Sequence, residues 1–200
     1  MNKKRQILRD LLEKRCLIMG DFTLSTGQKS KFYFDCKHAT LDGEALTLIS
    51  DAFLEEIAKF EIAPTAIGGL TMGADFIAAG VAMRAFQTNA PTISASIVRK
   101  EPKKHGTRNY IENQLPRGTS IVVVDDVITT GSSTVLACDR FKEAGCNIVG
   151  ILSLVDREAG GLKNLADRFQ CKVSSIFTKS DFPALMEGSN GVEGSLRKMA

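Results

Sequence analysis

Apolar residues recur along this chain at two spacings. Ile7, Leu8, Leu11 and Leu12 form one stripe at helical spacing and predict a first helix over residues 3–15. Phe22–Ser30 reads as a hairpin-like segment turning at Gly27, and Phe32-Tyr33-Phe34 as a short aromatic strand ending at Asp35. Leu46, Ile49, Phe53, Ile57 and Phe60 predict a second helix that starts after Gly43 and is broken by Pro64. Ala66-Ile67 then predicts a short buried strand, and Gly68–Gly73 a glycine-rich turn into a helix reaching about Arg84. Strands follow over 93–98, 121–124, 148–155 and 172–177, with helices to about Ala144, from Gly160-Gly161 to about Phe169, and after Ser180. Residues 99–117 are polar and aperiodic. Strands alternating with helices predict an α/β domain with a mostly parallel central sheet flanked by helices. In such sheets ligands lie beyond the carboxyl ends of the strands.

Composition narrows the class. Two hundred residues with 44% apolar side chains suit one domain: we expect it to span 1–187, with 188–200 a mobile tail. A net charge of +3 does not favour nucleic acid as a partner. No apolar run approaches a membrane span, and no signal-peptide core follows the basic N-terminus. Cys16, Cys36, Cys138, Cys146 and Cys171 are scattered without Cys-x-x-Cys spacing. They suggest reduced thiols in the cytoplasm, not a metal site.

The densest chemistry lies at Ile121–Thr134. A β-branched run is followed by Asp125 and Asp126, then by Thr129-Thr130-Gly131-Ser132-Ser133-Thr134 leading into a helix. Hydroxyls and free backbone N–H groups at a helix N-terminus favour a phosphate, and carboxylates accept hydrogen bonds from vicinal sugar hydroxyls. Together they read as a grip for ribose 5-phosphate. An apolar strand ending in Asp-Asp also occurs where nucleoside triphosphatases hold magnesium, but no Gly-x-x-x-x-Gly-Lys-Ser/Thr is present. No Gly-x-Gly-x-x-Gly follows a strand. A plain strand and capped helix would account for the hydroxyls but not for the acids. Arg99–Arg108 packs five permanent cations and His105 into ten residues after a strand. That pattern fits a solvated loop or a cationic lid over a departing polyanion. Arg157 is either a surface arginine paired to Asp156 or Glu158, or a fork for a carboxylated base.

The run Val-Val-Val-Asp-Asp-Val-Ile-Thr-Thr-Gly-Ser-Ser resembles the phosphoribosyl pyrophosphate motif of type I phosphoribosyltransferases. Arg-Lys-x-x-Lys-x-His-Gly and the Asp-Arg at 156–157 resemble the orotate phosphoribosyltransferases within that family. The likeness spans roughly residues 20–180. It implies the family fold, with about residues 1–40 forming a small hood that helps bind the base. It implies a pentosyl transfer from phosphoribosyl pyrophosphate to orotate, releasing pyrophosphate, in pyrimidine biosynthesis. By resemblance, Asp125, Asp126, Val127, Ile128, Thr129, Thr130, Gly131, Ser132 and Ser133 bind phosphoribosyl pyrophosphate, together with Arg99, Lys100, Lys103 and His105. Lys103, His105 and Asp126 are the catalytic candidates, and Thr129, Arg157, Phe34 and Lys29 the orotate candidates. Core packing is the competing role for the aromatics, and the one favoured for Phe32. The resemblance also implies Mg2+ carried by the substrate, with few or no direct protein ligands, and a homodimer whose lid, residues 99–108, covers the neighbour's site. The chain departs from the family in having Ser25 where many members carry lysine, with Lys29 as a substitute. It also has Lys31 where proline is common, and Met72 where some members place a lysine against pyrophosphate. Two rivals stay open: a phosphoribosyltransferase for another base, and a non-catalytic, nucleic-acid-binding sensor of phosphoribosyl pyrophosphate on the same fold.

Overall fold

The computed structural model describes residues 2–23, 27, 29–102 and 109–187. Lys103, His105, Ser25 and the tail from 188 lie outside the described residues. The first helix, α1 (Lys3–Cys16), leads into an antiparallel pair, β1 (Leu17–Thr23) and β2 (Lys29–Phe34). After α2 (Lys37–Thr40) and α3 (Gly43–Ile57), the chain alternates through β3 (Ala66–Leu70), α4 (Asp75–Gln87), β4 (Ser94–Val98), the short β5 (Ile111–Glu112) and β6 (Ser120–Ile128). It continues with α5 (Ser132–Glu143), β7 (Asn147–Asp156), α6 (Gly161–Phe169), β8 (Lys172–Thr178), a 3-10 turn (Lys179–Asp181) and α7 (Pro183–Glu187). The main sheet has the order β5-β4-β3-β6-β7-β8 and is parallel except for β5. This is the expected α/β architecture with a mostly parallel sheet.

Alternation along β6 explains the layering. Val122 and Val124 join Ile67, Leu152 and Leu154 under α1, α3 and α4. Ile121 and Val123 join Ile151 beneath Ala137 and Phe141 of α5 and Leu165 of α6. A strand buried on both faces has no polar side to reveal its period, hence the continuous apolar run.

Three expectations are corrected. Gly68 and Gly69 lie within β3 rather than in a turn. A Cβ on Gly68 would strike the Ser96 carbonyl, and one on Gly69 the Val124 carbonyl, so glycine here permits close approach inside the sheet. The central strand does not stop before the acid pair: Val127 and Ile128 still pair with Val155 and Asp156 of β7. The second helix ends at Ile57, and Phe60 reaches the core from the following turn.

The sheet order also sets the site. From β3 the chain moves outward to β4, whereas from β6 it moves the other way to β7 and β8. The order reverses between β3 and β6, and the crevice outside their carboxyl ends is where such folds bind ligands.

Candidate active site

A cleft of about 580 Å³ opens at that reversal. Its walls come from the end of β3 (Leu70–Gly73), the end of β6 (Asp125–Val127, Thr129), Ser133 of α5, Arg157 after β7, Lys100 after β4, and Tyr33 and Lys37 from the N-terminal region. Residues far apart in the chain thus converge because parallel strands all end on the same edge.

The acid pair forms the floor. Asp125 is buried: its Oδ2 accepts a hydrogen bond from Thr134 Oγ1 at 2.9 Å and its Oδ1 one from the Asp126 N–H at 3.1 Å. Asp126 is half-buried, and its Oδ1 accepts from the Val127 N–H at 2.8 Å. Neither carboxylate accepts a backbone N–H of α5, so the pair does not cap that helix. Burial, and then the adjacent Asp126 carboxylate, push Asp125 up to about 8, and burial raises Asp126 as well. Burial and mutual repulsion favour the protonated form of the pair until a ligand supplies hydroxyls or positive charge.

Beyond the acids, Gly131 takes φ 86° and starts α5 without a side-chain cap. The N–H groups of Thr130, Gly131, Ser132 and Ser133 have no acceptor among the described residues, and Thr130 and Ser132 hydroxyls stand 3.5 Å apart. Unmet donors and hydroxyls at the positive end of a helix make an anion cradle. Gly161 supports it from below, since a Cβ there would lie 2.5 Å from the Thr129 carbonyl.

Gly73 closes the opposite wall. A Cβ on Gly73 would lie 2.7 Å from Asp126 Oδ1 and 2.8 Å from Asp125 Oδ1. Both aspartates are tethered by hydrogen bonds, so Gly73→Ala must move them. It is expected to lower turnover by about one to two orders of magnitude, because the two carboxylates on the floor of the cleft would be displaced by up to roughly an ångström. Steady-state kinetics beside a melting curve check this; unchanged turnover would show that the acids need no fixed position.

At the other end stands Arg157, only 8% exposed. Its Nη2 donates to Ser30 Oγ at 2.7 Å and to the Phe32 carbonyl at 3.3 Å, and its guanidinium carbon lies 4.2 Å from the centre of the Phe32 ring. Neither candidate acid pairs with it. Asp156 accepts from the Glu158 N–H, and Glu158 accepts from Ser180. Burial works against the guanidinium's charge, and no carboxylate among the described residues forms an ion pair with it. A buried cation without a counterion awaits an anionic ligand.

The predicted site residues separate clearly. Lys100, Asp125, Asp126, Val127, Thr129, Ser133 and Arg157 all line the cleft, with Thr130, Gly131 and Ser132 forming the adjoining turn. Ile128 turns its side chain into the core, leaving it no side-chain part in binding. Arg99 is engaged with Glu112 at 3.0 Å and lines a neighbouring hollow of about 390 Å³. Lys29 lines a side pocket of about 190 Å³ shared with Thr129 and Arg157. Phe34 is a correction: it is 3% exposed and packs on Phe182 with ring centres 4.9 Å apart, away from the cleft. Alternation along β2 puts Phe32 and Phe34 on one face and Tyr33 on the other, so Tyr33 lines the cleft instead. Phe32 packs against the core and also carries Arg157.

Lys37 is the residue the sequence did not disclose. It lines the cleft, and its Nζ is 2.7 Å from Asp35 Oδ1, a contact that raises its pKa. Its charge also works weakly against the rise that burial gives Asp126. Its only sequence signal was a lysine just past the aromatic strand.

A parallel sheet with an acid pair, an anion cradle and glycine turns at its switch point defines the phosphoribosyltransferase class. A family model described as a phosphoribosyl transferase domain matches residues 41–185. The chain is 41% identical over 165 residues to the orotate phosphoribosyltransferase of Aquifex aeolicus, covering 81% of this chain and 88% of that one. It is 40% identical over 183 residues to the enzyme of that name from Thermosynechococcus vestitus, covering 91% and 94%. A crystal structure of Mycobacterium tuberculosis orotate phosphoribosyltransferase with 5-phospho-α-D-ribosyl 1-diphosphate matches with a TM-score of 0.72 and 29% identity, over 89% of this chain and 98% of that one. The chain belongs to the orotate phosphoribosyltransferase family.

Proposed function

We propose that the cleft transfers the 5-phosphoribosyl group of phosphoribosyl pyrophosphate to orotate, giving orotidine 5′-monophosphate and pyrophosphate for pyrimidine biosynthesis. The observation that carries the choice of base is Arg157, a buried guanidinium that forms no ion pair among the described residues and lies in the same cleft as the acid pair. Residues 129–133 hold the 5-phosphate. Asp125 and Asp126 hold the ribose hydroxyls and stabilise positive charge as the anomeric carbon becomes oxocarbenium-like. Arg157 and Thr129 hold the base, with Lys29 at the rim. Arg99, Lys100, Lys103 and His105 neutralise the departing pyrophosphate.

Among the described residues no three His, Cys, Asp or Glu side chains gather to hold a metal, and Asp125 and Asp126 are the carboxylates of the cleft. Two carboxylates directed at a sugar suit an ion that arrives with the substrate. Mg2+ so carried would neutralise charge on pyrophosphate and orient it.

Residues 1–187 act as one domain, with about the first forty as a hood; the bonds from Arg157 to Ser30 and Phe32 join the two and support this reading. No helix among the described residues is long and apolar enough to cross a membrane. The five thiols are all free, which supports a reducing cytoplasm. A sensor that binds nucleic acid would not need a buried guanidinium without an ion pair among the described residues at the base end.

The deciding assay follows orotate absorbance with phosphoribosyl pyrophosphate and Mg2+, beside hypoxanthine, adenine and uracil. Orotate alone should be consumed rapidly; preference for a purine or uracil would overturn the reading. A homodimer with shared lids is part of the proposal. Mixing Lys103→Ala with Arg157→Ala subunits in equal amounts should restore about a quarter of wild-type activity, since half the dimers regain one intact site. No recovery despite proven subunit exchange would refute lid sharing.

A further inference from the structure

The side pocket of about 190 Å³ beside the main cleft is lined by Lys29, Ser30, Phe32, Thr129, Arg157 and, from the C-terminal region, Lys179. Among the described residues no carboxylate lines it. Its three cations come from β2, from the loop after β7 and from the 3-10 turn after β8. Lys29 donates to Thr23 Oγ1 at 2.8 Å, and Arg157 is held by Ser30 and Phe32 as described. Lys179 is half-buried, forms no ion pair among the described residues, and places its Nζ 5.8 Å from the centre of the Phe32 ring on which Arg157 rests.

The backbone carrying Lys179 is fixed more firmly than a surface turn requires. Asp181 Oδ2 accepts from the Thr178 N–H at 2.7 Å and from its hydroxyl at 3.1 Å, completing a capping box. Glu158, next to Arg157, accepts from the Ser180 N–H at 3.1 Å and the Ser180 hydroxyl at 2.6 Å. Phe182 anchors the far side of the turn against Phe34 and Phe177. The turn is therefore tied directly to the loop that presents Arg157, and the backbone of Lys179 is held at a set place relative to that loop.

We propose that Lys179 is a specificity-determining residue of this site, the cation that, with Arg157, selects an anionic pyrimidine over a neutral one. This rests on the reading of the site as an orotate phosphoribosyltransferase. A neutral pyrimidine gains nothing from a second positive charge, whereas a pyrimidine carboxylate gains a charge-assisted contact in a pocket free of competing acids. Phosphoribosyl pyrophosphate binds at the acid pair and cradle, which meet this pocket only at Thr129, so the effect of Lys179 falls mainly on the base.

The test compares full-length wild type, Lys179→Met and Lys179→Arg for kcat, KM for each substrate, orotate-to-uracil preference and melting temperature. Lys179→Met should raise the KM for orotate by about tenfold and lower the preference for orotate over uracil by a similar factor, as loss of one charged hydrogen bond implies. Its KM for phosphoribosyl pyrophosphate and its melting temperature should stay near wild type, and Lys179→Arg should recover most of the loss. An unchanged KM for orotate, or equal rises for both substrates, overturns the proposal while leaving the enzyme's assignment intact. Wild type that does not consume orotate overturns both.

Discussion

Asp126→Asn is expected to lower turnover by about 10²- to 10³-fold, the range seen when a preorganised charge facing a transition state is removed. The asparagine side-chain oxygen can still accept the Val127 N–H that Asp126 Oδ1 now accepts at 2.8 Å, so the strand end should hold. What disappears is negative charge beside a ribose whose positive charge grows only in the transition state. Ground-state affinity for phosphoribosyl pyrophosphate should therefore fall far less than turnover.

The pH behaviour gives a second readout of the same pair. Asp125 lies near 8 in the free protein, through burial first and Asp126 second. Its folded-state value is above the unfolded one of 3.8, so the folded protein holds a proton that the unfolded chain releases. The destabilisation this carboxylate causes is full above about 8 and is relieved as pH falls toward 4. A ligand that needs both carboxylates ionised binds more tightly as pH rises through that value. In Asp126→Asn the second cause is gone, and this dependence should move to lower pH. Turnover, ligand affinity and melting temperature on one preparation decide the matter; near-normal turnover would reduce the acids to structural residues.

Arg157→Ala should raise the KM for orotate by about tenfold to a hundredfold, with little change for phosphoribosyl pyrophosphate. The guanidinium is buried, forms no ion pair among the described residues and lines the cleft, so on the proposed role the base carboxylate loses its counterion. The same substitution removes the bonds from Arg157 to Ser30 Oγ and the Phe32 carbonyl, leaving those two bonded to each other within β2, and loosens the hold on β2, so some melting temperature is lost too. Arg157→Lys separates these effects: it keeps a charge but not the planar fork that reaches two acceptors and stacks on Phe32. Partial recovery of orotate affinity with Lys supports a charge contact with the base. Equal loss of affinity for both substrates would falsify the assigned role.

Some of this was legible in the sequence for a local reason. Thr129–Thr134 and the two aspartates are consecutive, so their chemistry needs only a strand end and a helix start, and both follow from short-range pattern. The alternation of strands and helices likewise put that stretch at a carboxyl edge. Other features depended on what packs across the chain. Period two along β2 says that Phe32 and Phe34 share a face, but which face is core was decided by Phe182, arriving from the C-terminal turn. Gly68 and Gly69 looked like a turn, because glycine marks both turns and close sheet contacts; only the pressing Ser96 and Val124 carbonyls distinguish the two. The sequence by itself determined the acid pair, the hydroxyl-rich turn after it and the alternation of strands and helices around them, because those are properties of neighbours in the chain. The tertiary structure alone decided that Arg157 forms no ion pair among the described residues, that Lys37 lines the same cleft as the acid pair, and that Lys179 shares a side pocket with Arg157. Charge pairing and burial are set by distance in space, and the ends of parallel strands are far apart along the chain.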